Sequence, residues 1–271
     1  MTGLLRGCRA KIERADECVK NLNVEINAFL SSDPPPYAVF KKLQDNARQY
    51  VFLAKSHKAV PDRFAVLAGE IVHHLASSLD HLFAALVTKN GNMVEKRHYF
   101  PIYTSTKKFR KACDRGAISD VSATAQKLIS SVQPCKTPAP RDTILAAVKE
   151  INNIDKHRLL IVIAVAGNLS QTVHIGCKGK DIRDIHGNPA NIVSLGDPAL
   201  VAVNEKGVEF FRIGLAEPTP EFEADTDFSA QIVFAQCGLA KLVPLTQALP
   251  SMIAGVTHTI NLFVGEFDSD D

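Results

Sequence analysis

Histidines and acidic residues concentrate in one stretch of the chain. The segment GEIVHHLASSLDHL, residues 69–82, holds three histidines and two carboxylates within fourteen residues. Imidazole and carboxylate groups serve in acid–base catalysis near neutral pH and in metal binding. A second polar group, NNIDKHR, begins at Asn152. These two segments hold the first candidates for a functional site.

Two helices have to position these groups. On a helix of 3.6 residues per turn, His73, Ser77 and Asp80 share one side, and His74 and His81 widen that side. The apolar stripe on the opposite side consists of Phe64, Ala68, Ile71, Leu75, Leu79, Leu82 and Leu86. A solvent-facing polar side is the ordinary interpretation. Histidine and serine, in place of lysine and glutamate, favour a side that faces another helix.

The second polar group lies in a helix predicted over residues 143–166. Asp155 stands in the middle of its apolar stripe, between Ile151 and Leu159. An unpaired buried carboxylate is very costly, so Asp155 needs a partner from another element. We expect His73 or His81 to supply it. A structural polar cluster between the two helices would then contain His73, His74, Ser77, Asn152 and Asp155.

The remaining pattern predicts an α+β fold. A heptad seam over residues 4–31 calls for packing along another long helix, and a homodimer through this helix is a further expectation. Residues 37–58 read as a short hairpin around Asp45-Asn46, with a helix as the alternative. We expect an N-terminal antiparallel helical bundle, then an antiparallel β-sheet, and a C-terminal helix that packs back on the bundle.

The expected division follows this pattern. Residues 1–167 form the helical bundle domain with the His/Asp motifs, and residues 168–237 form the β region, where short apolar runs alternate with turn residues. Residues 238–265 return to a helical pattern, and residues 266–271 form an acidic tail.

Composition excludes several classes of protein. The net charge is only +2, and no signal peptide or membrane-spanning run is recognisable. The six cysteines are scattered without zinc-binding spacing, so we expect a cytoplasmic protein with reduced thiols. No nucleotide-binding glycine loop or serine-hydrolase motif occurs, and no cofactor is expected.

The two motifs carry a resemblance. GEIVHHLASSLDHLFAALV, followed later by INNIDKHRLL, resembles an uncharacterised bacterial family in which a GEILHNLRSALDHLAWQLV-like segment precedes NIDKHR. The Arg-x4-His of that family is similar to the motif of HEPN-type helical ribonucleases. His81 stands at the matching histidine, Ala76 at the position of the arginine, and His74 at that of an asparagine. The resemblance implies RNA as a partner.

Three functions remain open. The first is a binding or structural module, in which the polar cluster joins two helices. The second is a metal-independent endoribonuclease, with His81 or His157 as base, Arg158 or Lys156 as the cation near the phosphate, and Asp80 beside them. Such an enzyme would lack the arginine that Ala76 replaces. The third is a metal site in the bundle, with candidate ligands His73, Asp80, His81 and Asp155.

Overall fold

The computed structural model of the protein describes residues 3–46, 48–167, 173–177, 192–195, 201–216, 222–226, 229–235 and 243–267. The chain has the mixed helix and strand content that the sequence predicts. It divides into two compact units. We call residues 1–25, 61–162 and 234–271 the helical unit, and residues 26–60 and 163–233 the strand unit.

Three of the α-helices in the helical unit pack against one another. The α-helices of the described residues are α1 (Arg6–Leu30), α2 (Asp62–Lys89), α3 (Thr106–Asp114), α4 (Ala123–Ser131), α5 (Ile144–Asp155) and α6 (Leu245–Asn261). Helices α2, α5 and α6 pack against one another. The C-terminal helix therefore returns to the bundle, as predicted.

The heptad seam of α1 is used within the chain itself. Leu5, Cys8, Ala15, Val19 and Leu22 are all buried. The seam thus covers apolar surface of the same protein, which accounts for its regular spacing. The homodimer that the seam also suggested stays a prediction.

Helix α2 begins and ends where the sequence indicates. Pro61 precedes its first turn with extended backbone, and Asp62 lies near the positive end of the helix dipole. The helix ends at Asn90, and Gly91 adopts a φ of +77°, which favours glycine. The predicted apolar stripe, from Phe64 to Leu86, is buried.

Helix α5 is shorter than predicted. It ends at Asp155, and the chain continues into strand β3 (Val162–Gly167), so the predicted helix over residues 143–166 is wrong in its second half. Leu159 was assigned to the helical stripe but is exposed, whereas the neighbouring Leu160 is buried. The β-branched run Ile161-Val162-Ile163 favours extended backbone, and this preference prevailed over the apparent helical period.

The predicted hairpin is confirmed. Strands β1 (Tyr37–Gln44) and β2 (Gln49–Ser56) pair antiparallel. Asp45 and Asn46 both adopt a φ of 49°, a conformation that these two residue types tolerate better than most. The sequence signal of the turn was therefore specific.

The hairpin belongs to the strand unit. The later strands are β4 (Val173–Cys177), β5 (Ile192–Leu195), β6 (Val201–Ala202), β7 (Val208–Leu215), β8 (Phe222–Thr226) and β9 (Ser229–Phe234). Among the described residues they form sheets of order β1-β2-β7-β5, β6-β3-β9 and β4-β8. Because β2 pairs with β7, the hairpin joins a sheet. The expected division at residue 168 assigned it to the helical domain.

Aromatic residues anchor the segment that follows α6. Phe263 and Phe267 are buried, and Phe100 contacts the Phe263 ring edge-on, with ring centroids 6.2 Å apart. Leu245–Glu266 is apolar and long enough to cross a membrane, but a core helix of a soluble protein meets the same criterion, so this is weak support for a span. Most of the predicted acidic tail, residues 268–271, lies outside the described residues.

Candidate functional site

The two polar groups predicted to meet do lie together. His73 Nδ1 on α2 lies 3.4 Å from Asn152 Oδ1 on α5, at the long end of hydrogen-bond distances. Asp155 is half-buried, and its carboxyl group lies against Gly69 of α2. Asp155 therefore packs against helix α2, and the position of Asp155 on the apolar stripe of α5 predicted this contact.

His73 is the imidazole that acts on Asp155. Burial raises the pKa of the Asp155 carboxyl, Glu70 adds to the rise, and only the charge of His73 opposes it. His73 itself is exposed, as is His81. The polar side of α2 is therefore open to water at both of these histidines, with one edge turned to α5.

His74 and His81 face a different helix. A Cβ atom at Gly7 of α1 would lie 2.7 Å from His81 Nδ1, so this ring covers Gly7. The Nδ1 of His74 is buried, and within the described part of the chain it has no hydrogen-bond partner. Burial, then Lys11, His73 and Arg14, lower the pKa of His74. The predicted cluster is therefore split between two faces of α2.

The proposed metal ligands do not converge. Among the residues that the structure describes, no three His, Cys, Asp or Glu side chains lie together as a metal site would require. His73, Asp80, His81 and Asp155 are all described, and they form no such group.

A cavity of about 470 Å³ lies between α2, α5 and the segment of residues 96–103. Its apolar lining consists of Ala76, Leu79 and Val148 from the two helices and of Phe100 and Ile102 from the segment. Its polar lining consists of Asp80, Lys96, His98, Tyr99, Tyr103, Lys149, Asn152, Asn153 and Lys156. Both polar groups of the sequence therefore contribute to one cavity, through Asp80 on one side and Asn152 to Lys156 on the other.

Two polar side chains hold the wall of this cavity, the segment of residues 99–103. Gln133 accepts a hydrogen bond from Tyr103 N (3.0 Å) and donates to the carbonyls of Pro101 (2.8 Å) and Ile129 (3.0 Å). Lys149 Nζ donates to the carbonyl of Ile102. Gln133 is only 1% exposed, so the segment is fixed from beneath.

Asp80 fixes the same segment from α2. Its Oδ1 accepts a hydrogen bond from Phe100 N at 2.9 Å. The carboxyl group remains accessible from the cavity, but neighbouring protein atoms exclude enough water to raise its pKa, against the effects of the Phe100 N–H and of Lys156. Asp80 therefore has a positioning role that the sequence did not reveal.

A histidine of fixed tautomer supports the start of the segment. The backbone N–H of Glu95 donates to His98 Nδ1 at 2.9 Å, so the proton of the neutral ring is on Nε2. Nε2 then donates to Asp120 Oδ2 at 2.9 Å. The side chain of His98 is only 3% exposed. Lys96 and Arg97 are thus presented to solvent on an anchored turn.

Two further cavities continue the first. The second, about 400 Å³, is lined by Arg97, Tyr99, Tyr103, Lys108, Lys111 and Arg115, among others. The third, about 640 Å³, shares Tyr103, Lys108, Lys149 and Asn153 with its neighbours and adds Arg141 and Glu150. We call the combined lining the basic surface: Lys96, Arg97, Lys108, Lys111, Arg115, Arg141, Lys149 and Lys156, with Tyr99 and Tyr103.

The predicted catalytic residues are only partly at this site. Asp80 lines the first cavity, whereas His81, His157 and Arg158 line none of the three. His157 and Arg158 are exposed just beyond the end of α5, and Ser77 is half-buried on α2.

Of the basic surface, the sequence interpretation found only Lys156 and missed the other seven cations and both tyrosines. One signal for them was present: residues 95–115 hold seven Lys or Arg against two carboxylates, in a chain with net charge +2. The sequence around Gln133, which stands before Pro134, gives no sign of its hydrogen bonds to residues 101 and 103.

No protein-family model, no curated protein and no solved structure matches this chain. The resemblance to the uncharacterised bacterial family and to HEPN-type ribonucleases therefore stays a prediction. The geometry and charge of the basic surface are the features that indicate a function.

Proposed function

We propose that the helical unit is a binding module for single-stranded nucleic acid. The observation that carries the proposal is the basic surface: eight Lys or Arg side chains and two tyrosines line three cavities that share walls. Positive grooves with aromatic side chains are the usual means of binding unpaired strands.

The charge of this surface suits a phosphate backbone. Only two carboxylates, Asp80 and Glu150, are among the linings of the three cavities. Of the four cations of the second cavity, Arg97 is the only one that the described structure pairs with carboxylates, Glu95 and Asp120. Lysines and arginines without ion pairs can neutralise phosphates and release their counterions.

The tyrosines favour single strands over duplexes. Tyr99 is 58% exposed and stands between the first two cavities. Tyr103 is held by Phe109, with ring centroids 5.8 Å apart, and by Lys149, whose Nζ lies 4.9 Å from the ring centre. Only unpaired bases can stack on such rings, and stacking contributes about 1–3 kcal/mol per base.

We propose that the protein binds the strand and does not cleave it. Cleavage needs a base within reach of the 2′-hydroxyl. His81 covers Gly7 of α1, and His157 lies exposed outside the three cavities. The ribonuclease alternative therefore gains no support from these positions, and the binding experiment includes a check for strand cleavage.

Fluorescence anisotropy with a labelled oligouridylate of about twelve nucleotides tests the proposal. We expect salt-sensitive binding that the double variant Lys108→Gln/Lys111→Gln weakens about tenfold. The double variant Arg14→Gln/Lys20→Gln, which removes the same charge from the exposed face of α1, is the matched control and should bind normally. No binding at low salt, or equal weakening by both double variants, would refute the proposal.

A further inference from the structure

The first cavity has the volume and the mixed polar and apolar lining of a site for a small molecule. Its volume of about 470 Å³ falls within the range of pockets that hold a small molecule. It has an apolar floor of Ala76, Leu79 and Val148, and the anchored segment of residues 99–103 forms a wall. Such a pocket can enclose one bound group, whereas a groove only contacts the phosphate backbone of a strand that runs along it.

We propose that this cavity binds the terminal nucleotide of a strand through its phosphate monoester. The inference rests on the proposed function, because it makes the cavity the end of the nucleic-acid path. It adds that the protein distinguishes a phosphorylated strand end from a hydroxyl end.

The charges of the cavity favour a monoester. A phosphate monoester carries about −1.5 to −2 charges near pH 7, whereas each internal phosphate carries one. Lys96 and Lys156 line the cavity, and within the described structure neither has a carboxylate partner in an ion pair. Lys149 adds a third positive charge, against Asp80, whose Oδ1 already accepts the Phe100 N–H.

The remaining lining suits a nucleobase. The amides of Asn152 and Asn153 offer both donors and acceptors, as the edge of a base requires. Tyr99 is exposed at the boundary with the second cavity, where the next base of the strand would stack. A nucleotide in the first cavity is thus continuous with a strand in the second.

Three oligouridylates of equal length test the inference: one with a 5′-phosphate, one with a 3′-phosphate and one with hydroxyl groups at both ends. We expect one phosphorylated form to bind about tenfold more tightly, as one or two added charge-assisted hydrogen bonds would give. Lys156→Gln and Ala76→Leu, the latter filling the cavity floor, should remove this increment, so that each variant binds the phosphorylated and the hydroxyl forms with equal affinity. Thermal unfolding checks that each variant is folded, and Lys20→Gln is the control.

The outcomes separate the two proposals. Equal binding of all three strands overturns the terminal site and leaves the proposed function standing. An increment that survives both Lys156→Gln and Ala76→Leu also overturns it, because the phosphate would then bind elsewhere. No binding of any strand refutes the proposed function. Tight binding of uridine monophosphate alone, lost in Ala76→Leu, supports the cavity as a site for free nucleotides and overturns the strand-end form.

Discussion

Gly69 of α2 lies directly against the carboxyl group of Asp155 on α5. A Cβ atom at residue 69 would stand 2.6 Å from Asp155 Cγ and 2.8 Å from Oδ2, with Oδ1 nearer still. These separations are far below van der Waals contact, so a side chain at 69 requires the Asp155 side chain to turn away or one helix to move. The position of the Asp155 carboxyl group against α2 therefore depends on the absence of a side chain at residue 69.

The variant Gly69→Ala tests this approach. We expect a loss of about 1–3 kcal/mol in the free energy of unfolding, as overpacking of a well-packed contact gives. In the Asp155→Ala background the same change should cost much less, since the clashing atoms are gone, and the double-mutant cycle should show coupling. Urea unfolding of the four proteins measures both quantities.

Gly265→Ala is the matched control for that cycle, because a Cβ atom at Gly265 meets nothing within 4 Å. It should leave stability nearly unchanged. Equal costs of Gly69→Ala with and without Asp155 would show that the two residues are not in contact.

Asp80 gives a second prediction, because its hydrogen bond stabilises the folded protein and its charge destabilises it. Asp80→Ala leaves the buried N–H of Phe100 without its acceptor and should cost about 1–3 kcal/mol. Asp80→Asn keeps an acceptor and removes the charge. Burial raises the pKa of Asp80, so the folded state binds its proton more tightly, and stability falls as pH rises above the ordinary value of 3.8.

At pH 7, Asp80→Asn should therefore be at least as stable as the natural protein. Between pH 4 and pH 7 its free energy of unfolding should fall less than that of the natural protein, and the difference is the contribution of the Asp80 carboxyl group. Thermal unfolding at several pH values measures this. If Asp80→Asn were as unstable as Asp80→Ala, the carboxylate charge would be the stabilising feature and the assignment of Asp80 as a hydrogen-bond anchor would be wrong.

The position of Asp155 was the part of the site that the sequence predicted best. A carboxylate inside an apolar stripe needs a partner, and this argument directed Asp155 to α2, where its carboxyl group lies against Gly69. Within the described residues no hydrogen bond or ion pair joins it to His73 or His81, and of these two only His73 acts on it, through its charge. Assigning the histidines was harder, because His73 and His74 are adjacent but about 100° apart around the helix. Only the positions of α1 and α5 decide that one imidazole faces Asn152 and the other faces Lys11 and Arg14.

In the fold too, features that depend on neighbouring residues could be predicted, and features that depend on residues distant in sequence could not. The Asp45-Asn46 turn and the Gly91 helix end were predictable, because each depends on the backbone preference of a few residues. The end of α5 was missed since residues 156–161 contain no Gly or Pro. The wall of residues 99–103 depends on Gln133 and Lys149, which are distant in sequence, and no local pattern encodes those contacts.

Gln133 yields a third prediction. In Gln133→Leu, a change of similar volume, the N–H of Tyr103 and the carbonyls of Pro101 and Ile129 lose their partner. We expect a loss of about 2–4 kcal/mol, because each unpaired buried group costs about 1–3 kcal/mol and some relax toward water. Gln126→Leu is the control, since Gln126 on α4 is half-buried and makes one such bond, to the carbonyl of Val121. Similar losses in both variants would contradict the anchoring role of Gln133.

His74 yields a pH prediction. Burial lowers its pKa below the ordinary 6.5, so the folded protein binds fewer protons at this site than the unfolded chain does. The stability that neutral His74 contributes is fully present above pH 6.5, and it is lost as the pH falls through the folded-state pKa of His74. Urea unfolding between pH 7.5 and pH 5 should show this decline, and His74→Gln should flatten it.

His73→Gln is the control for that slope. It leaves the buried Nδ1 of His74 in place and removes only a secondary cause of the lowered pKa, so most of the decline should persist. A decline that is unchanged in His74→Gln would assign the pH dependence to another group.

The salt dependence of binding gives the last prediction. For single strands the slope of log K against log salt is about −0.7 for each phosphate neutralised. If about five of the eight cations of the basic surface contact phosphates, the slope is about −3.5. Lys108→Gln/Lys111→Gln should then reduce its magnitude by about 1.4, whereas Tyr99→Ala should weaken binding at every salt concentration and leave the slope unchanged.

Anisotropy titrations over a range of salt concentrations measure both effects, and Tyr99→Phe, which keeps the ring, should bind as the natural protein does. The comparison separates charge from stacking, because an acidic polypeptide or polyphosphate would share the slope but not the dependence on an aromatic ring at residue 99. A slope near zero would mean that the phosphates do not contact the lysines, and the exposed position of Tyr99 would then need a different partner.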